Sequence, residues 1–308
     1  MARDGAKFAI ADRALWAAKG LEPDQLQLRL DRTDAVVRAQ AIGSGPTVLF
    51  IHGGSNAGSS WIDLVSRLPD YRCVMVDRPG CGLSAPLRRS VSEVAAFEAY
   101  ADGFVADVFD ALGEPSSAVV ATSYGGYFGL RGAAAYPDRV TRLVTLGYSI
   151  GAAPVYLPLV MRIGSMPRIS ALTNRLPMPK VAVRGMVKQI GLRDAVKTGA
   201  FTDDMVTWFH ALLTSTDTMR NEVAGCPRVI TLGGANPAMF LTDAVLSKIT
   251  APTLALWGRD DPMGGENVAA PFIGMIPGAA LEMVRGGHAV WIDDADGIAK
   301  RVSDFLGG

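Results

Sequence analysis

The sequence predicts an α/β protein: a mostly parallel, twisted sheet with helices on both faces and a helical lid inserted late in the chain. Three observations predict it. Short β-branched runs alternate with stretches of helical period between residues 47 and 146, the pattern of strands joined by crossover helices. One such run, Val119-Val120-Ala121-Thr122, passes straight into Ser123-Tyr124-Gly125-Gly126 and then into a helical stretch. The strand pattern then stops after Ser149 and resumes only at Thr253, a gap too long for a structureless loop in a compact domain.

Each element has its own signal. Residues 1–20 alternate charges with short apolar patches, lack the apolar core of a signal peptide and contribute no predicted element. Residues 25–32 and 35–41 read as an antiparallel pair turning near Thr33-Asp34. Runs ending at Ile51, Val76 and Thr122 read as strands, as do 143–146, 253–257 and 280–284. Val94, Phe97, Ala101, Phe104, Val108 and Leu112 fall at helical spacing, with Ser90-x-x-Glu93 as a capping box ahead of them. Residues 127–135 form the helix after the serine, and Ile298, Val302, Phe305 and Leu306 mark a closing helix. Within the gap, 157–163, 180–190 and 203–224 are the helical stretches, separated by Pro167, Pro177, Pro179, Pro227 and Pro237. The expected organisation is a core from 1–149 and 251–308, with a lid at 150–250. Seven of the twelve methionines fall in that lid, enough to line an adaptable apolar pocket or to pack it onto the core.

Composition narrows the function. At 49% hydrophobic and 19% charged, the 308 residues can bury one large core and show no sign of disorder. Thirty basic and thirty acidic residues cancel, so there is no electrostatic case for nucleic acid or an anionic membrane. No run approaches the ~18 apolar residues that cross a bilayer. Cys73, Cys81 and Cys226 have no metal-ligand spacing and form no disulfide framework. A cytoplasmic protein acting on a small molecule is expected, its oligomeric state left open.

The chemistry starts at Ser123. A strand turning directly into a helix crowds its own backbone, and small residues at 121 and 125 relieve that crowding. This is the nucleophile-elbow pattern, with Ala121 in place of the first glycine. A serine hydroxyl needs a base, and the base needs a group to hold its tautomer. Of three histidines, His288 follows Gly286-Gly287 directly after a strand. Asp260 and Asp261 follow strand 253–257, at a strand end where catalytic groups gather in open sheets. The order is therefore Ser, Asp, His, as in one of the three triad arrangements known on unrelated folds.

On these motifs the chain resembles the α/β-hydrolase family over nearly its whole length. The resemblance implies an α/β-hydrolase core with a lid and selects Asp261 over its neighbour Asp260. It also implies oxyanion-hole amides at Gly54, after Ile51-His52-Gly53, and at Tyr124, with Ser55 a less favoured donor. His52 is then a brace rather than a reactant. Asp77, Arg78 and Ser84, in Asp77-Arg78-Pro79-Gly80-Cys81-Gly82-Leu83-Ser84, become structural. Ser55, Trp208, His210 and Trp291 are the candidates for substrate contact. No metal and no cofactor are called for.

The expected activity is that of a carboxylesterase-like serine hydrolase, cleaving a small or medium apolar ester through an acyl-enzyme. The alternative is hydrolysis of a carbon–carbon bond in a vinylogous diketone by the same triad. Enzymes of that kind resemble this chain in the long lid and the Ser-x-Gly-Gly elbow, but usually carry glycine and asparagine where Ala121 and Thr122 stand. A reading of another class is a small-molecule receptor that kept the pocket without turnover.

Overall fold

The computed structural model describes residues 3–153, 157, 162–163, 166, 169, 178–225 and 229–308, with the side chains of 223–225 outside that description. Eight strands form the main sheet: β1 (Asp24–Leu30), β2 (Ala35–Ile42), β3 (Thr47–Ile51), β4 (Arg72–Val76), β5 (Ser117–Thr122), β6 (Val140–Ser149), β7 (Thr253–Gly258) and β8 (Ala280–Val284). Their order is β1-β2-β4-β3-β5-β6-β7-β8. β2 pairs antiparallel with β1 and β4, and every later pairing is parallel.

The order of connection reverses around β3, which lies between β4 and β5. Ligand sites in open α/β sheets form outside the carboxyl ends of strands at such a switch point. The register Ile51↔Ala121 puts the end of β3 level with the end of β5, so His52 and Ser123 emerge side by side.

Burial on both faces explains the near-continuous apolar strands. All six residues of β5 and of β7 are buried, as expected of parallel strands covered on both sides. Leu49, Ile51, Val119 and Ala121 face one core, shared with α2 (Val94–Leu112) and α3 (Ser123–Ala135). Val48, Phe50 and Val120 face the other, shared with α1 (Ala6–Ala17) and the closing helix 295–307. Each of these Val, Leu, Ile and Phe side chains stabilises the fold by about 1.5–3 kcal/mol relative to exposure.

Three features differ from expectation. The first is α1, which lies where no element was predicted. Phe8, Ala11, Leu15 and Trp16 are its buried apolar positions, but Asp12 is buried with them and spoils the amphipathic pattern. That carboxylate is satisfied by Arg38 at 2.5 Å, Gln40 at 3.0 Å, the Trp208 indole at 3.1 Å and the Ser59 hydroxyl.

The second is the missing capping box. α2 begins only at Val94, with Glu93 extended before it and no side-chain cap, while Ser90 Oγ bonds to Ser92. Val91 is buried, and residues 91–93 lie outside the helix.

The third lies in the insertion between β6 and β7, which contains α4 (Lys180–Gln189), α5 (Arg193–Thr198), α6 (Asp203–Ser215) and α7 (Thr218–Gly225). The single helix expected over 203–224 is thus broken. Thr214, Ser215 and Thr216 each turn a hydroxyl back onto the carbonyl four residues earlier, and Thr216 itself is extended. Such side-chain competition ends the helix. Most of the stretch expected at 157–163 lies outside the described residues, as does Met161. Met205 and Met239 pack into opposite cores and so share no pocket wall. No helix among the described residues is long and apolar enough to cross a membrane.

Candidate active site

Ser123 opens α3 with φ +53°, in the left-handed region, a conformation that costs a non-glycine residue about 1–3 kcal/mol. Its surroundings are cut to fit. A Cβ on Gly125 would run into the Ile51 carbonyl, and one on Gly53 would come within 3.0 Å of Ser123 Cβ. The methyl of Ala121 is accommodated because Gly129 stands opposite, where an added Cβ would sit only 3.1 Å away. Thr122 turns its hydroxyl into the sheet, to the Leu146 carbonyl at 2.5 Å.

The two aspartates after β7 separate cleanly. Asp260 is exposed, whereas Asp261 is buried. Asp261 Oδ2 lies 2.9 Å from His288 Nδ1 and accepts the Tyr148 amide at 2.9 Å; Oδ1 accepts the Met263 amide at 3.0 Å. Tyr148, at the end of β6, thus donates a backbone amide to the acid. With Nδ1–H committed to the carboxylate, Nε2 is the basic nitrogen of His288.

The histidine loop is held from both sides. Asp293 accepts the Gly287 amide at 2.9 Å, and burial pushes the Asp293 carboxyl above its usual range. The His288 amide donates to Ile190, in the insertion, at 3.0 Å.

Ser123 and His288 flank the end of β6. Ser123 forms a parallel bridge with Ser149, and an added Cβ on Gly147 would strike the His288 carbonyl. Among the described residues no hydrogen bond joins Ser123 Oγ to His288. Such bonds are commonly long before substrate binds and tighten in the reacting complex.

The opposite wall is the loop His52-Gly53-Gly54-Ser55. His52 is fully buried, with Nδ1 2.7 Å from the Gly53 carbonyl and Nε2 accepting the Arg78 amide at 3.0 Å. Burial, reinforced by the Arg78 charge, pushes its pKa well below the usual imidazole range. His52 is a neutral brace. Arg78, also buried, donates to the carbonyls of His52 at 3.1 Å and Gly53 at 2.9 Å, and lies 4.6 Å above the Tyr124 ring. Its charge is met by Glu222 of α7, whose other oxygen accepts the Ser55 amide and, at 3.0 Å, the Ser55 hydroxyl. Asp77 accepts the Gly58 and Leu83 amides, and Ser84 donates to its carbonyl, so both fix the turn after β4.

Three proposed substrate contacts have their ring nitrogens engaged within the fold. The Trp208 indole is buried on Asp12 and Ser59, and the Trp291 indole donates to the Ser60 carbonyl at 3.1 Å beside Trp61. His210 Nε2 is 2.7 Å from the Met178 carbonyl. A buried indole N–H needs an acceptor, and acceptors within the fold claim both tryptophans. Glu222, Asp293 and Ile190 were not found from sequence. No local motif marks them.

Residues 46–295 match the sequence profile of the family described as alpha/beta hydrolase fold. The chain belongs to the α/β-hydrolase fold family. It is 28% identical over 285 residues to a 2-hydroxy-6-oxononadienedioate/2-hydroxy-6-oxononatrienedioate hydrolase of Cupriavidus pinatubonensis, covering 89% of this chain and 92% of that one. Among solved structures it is similar to the 2-hydroxy-6-oxo-6-phenylhexa-2,4-dienoate hydrolase of Rhodococcus sp. strain RHA1 (TM-score 0.72, 17% identity, 93% and 100% of the two chains). The carboxylesterase CesB of Bacillus subtilis has the same core (TM-score 0.72, 20% identity, 99% of each chain). At these identities the two structures speak for the fold alone.

This α/β-hydrolase is a hydrolase, but the expectation of an ester as its main substrate is overturned. Relatives by sequence from Cupriavidus pinatubonensis, Burkholderia vietnamiensis and Burkholderia cepacia are named for 2-hydroxy-6-oxo-dienoates, which are vinylogous diketones in their enol form. Ala121 and Thr122 had weighed against that alternative. In the structure the Ala121 methyl faces Gly129 and the Thr122 hydroxyl is bonded within the sheet.

Proposed function

We propose that this α/β-hydrolase cleaves a carbon–carbon bond in a 2-hydroxy-6-oxo-2,4-dienoate, with Ser123, His288 and Asp261 as its triad. The observation that carries the reading is the likeness, over 89% of the chain, to a hydrolase named for such a substrate. It is supported by the buried Asp261–His288 pair beside the strained Ser123.

The chemistry follows from these groups. His288 Nε2 takes the Ser123 proton and the alkoxide attacks the C6 ketone carbon. Charge collects on the C6 oxygen, which the Gly54 and Tyr124 amides receive; each such donor is worth about 3 kcal/mol. The C5–C6 bond then breaks. In the 2-oxo tautomer, formed when the O2 proton moves to C5, the C5–C6 electron pair passes through C3=C4 onto the C2 oxygen, which takes the proton from His288 to give 2-hydroxypenta-2,4-dienoate. Water, deprotonated by His288, releases the C6 fragment from Ser123 as a carboxylic acid. Asp261 keeps the imidazole in the Nδ1–H tautomer and stabilises its charged form. The insertion at 150–250 serves as the lid over this site.

The test is to incubate the protein with 2-hydroxy-6-oxonona-2,4-dienedioate and identify products by mass spectrometry. Conversion into 2-hydroxypenta-2,4-dienoate and succinate is expected. Intact substrate, at enzyme concentrations that hydrolyse an aryl ester, overturns the reading.

A further inference from the structure

The oxyanion loop is held by a residue that the proposed reaction does not use. Gly54 lies between two peptide planes, and each is pinned. The plane carrying the Gly54 N–H also carries the Gly53 carbonyl, which faces Arg78 Nη2 at 2.9 Å and His52 Nδ1 at 2.7 Å. A trans peptide points its N–H opposite its carbonyl, so these bonds aim the Gly54 amide away from Arg78. The next plane carries the Ser55 N–H, which Glu222 Oε2 accepts. Ser55 itself is held at φ +50°, an arrangement that persists only where its surroundings enforce it.

One carboxylate ties these bonds together. Glu222 Oε1 neutralises the same guanidinium that holds the His52 and Gly53 carbonyls and supports the Tyr124 ring. The proposed Gly54 donor therefore rests on the Arg78–Glu222 pair, whose guanidinium also packs on the Tyr124 ring. A Cβ added at Gly54 would lie 3.6 Å from Glu222 Oε2, so the carboxylate sits directly over this residue.

We propose that Glu222 is a positioning residue for the oxyanion hole: the seating of insertion helix α7 against the core sets the aim of the Gly54 amide. The inference rests on the oxyanion assignment made above. The insertion thereby controls transition-state stabilisation as well as access.

The experiment compares wild type with Glu222→Ala and Glu222→Gln, each assayed below its own Tm. The readouts are kcat and KM on the dienoate and the rate of Ser123 labelling by a fluorophosphonate, whose phosphoryl oxygen needs the same donors. Glu222→Ala should lower kcat by about 100-fold, the scale of one lost oxyanion donor, with KM little changed and labelling slowed in parallel. Glu222→Gln keeps one acceptor oxygen for Ser55 and should recover part of the rate. It also provides the measurement if Glu222→Ala does not fold. A raised KM with unchanged kcat, or a lowered Tm with wild-type kcat and labelling, overturns the inference. Turnover by Ser123→Ala would instead overturn the triad reading on which it rests.

Discussion

The two walls of the site are built by different means. The acid–base wall comes from the ends of β6 and β7 and the loop after β8, with every Asp261 bond drawn from those core segments. The oxyanion wall follows β3 and depends on Glu222, 167 residues from Ser55 in the chain and carried by the insertion. The first wall draws its Asp261 bonds from the core, with the insertion's Ile190 carbonyl accepting the His288 backbone amide. The second is shared between core and insertion, so changes in the insertion should reach catalysis through the oxyanion loop first.

Mutations can separate the walls. Ser123→Ala removes the group both walls serve and should lower turnover of the dienoate by about 10⁴-fold or more, with urea unfolding unchanged in cooperativity. On the acid–base wall, Asp261→Asn should cost about 10⁴-fold in kcat by favouring the wrong His288 tautomer. Exposed Asp260→Asn should stay within about threefold. The reverse pattern would assign the acid to the wrong neighbour.

On the oxyanion wall, Arg78→Met strands the Glu222 carboxylate in a largely buried position. It should destabilise the fold by about 3–5 kcal/mol, read from the urea midpoint. Arg78→Met combined with Glu222→Met should regain most of that loss. If the double variant is no more stable than the single, the two residues are not a unit.

The smallest effect is a pH slope. Native His52 is held neutral, while the unfolded chain takes up a proton below about pH 6.5. The stability it lends is therefore complete above that pH. It falls as pH drops, by up to about 1.4 kcal/mol per unit. Urea titrations between pH 7.5 and 5 should show this slope in wild type and lose it in His52→Gln; an equal slope in both would place the proton elsewhere.

Legibility in the sequence followed locality. The β-branched runs of β3, β5 and β7 and the elbow at Ser123 are contiguous patterns, and these three strands lie within a residue or two of their expected bounds, whereas β6 extends three residues beyond 143–146 at each end. Asp261 needed one more step, because its neighbour has the same chemistry; the family resemblance chose it, and in the structure it is Asp261 that is buried and bonded to His288. What escaped was set by distant partners. Asp12 hid α1 by placing a charge on its buried face, satisfied by side chains up to 196 residues away. Trp208 and Trp291 were drawn inward by acceptors that no local window contains. Glu222 is one of thirty acidic residues, and nothing around it marks it out. The residues at 121 and 122 that weighed against the carbon–carbon alternative are likewise accommodated across the fold, by Gly129 and Leu146.

The most direct test of the account is the ratio of kcat/KM for 2-hydroxy-6-oxonona-2,4-dienedioate to that for p-nitrophenyl acetate, measured on one enzyme preparation. The proposed reaction predicts a preference for the dienoate of at least about 100-fold. A ratio near unity, or one favouring the ester, would contradict it.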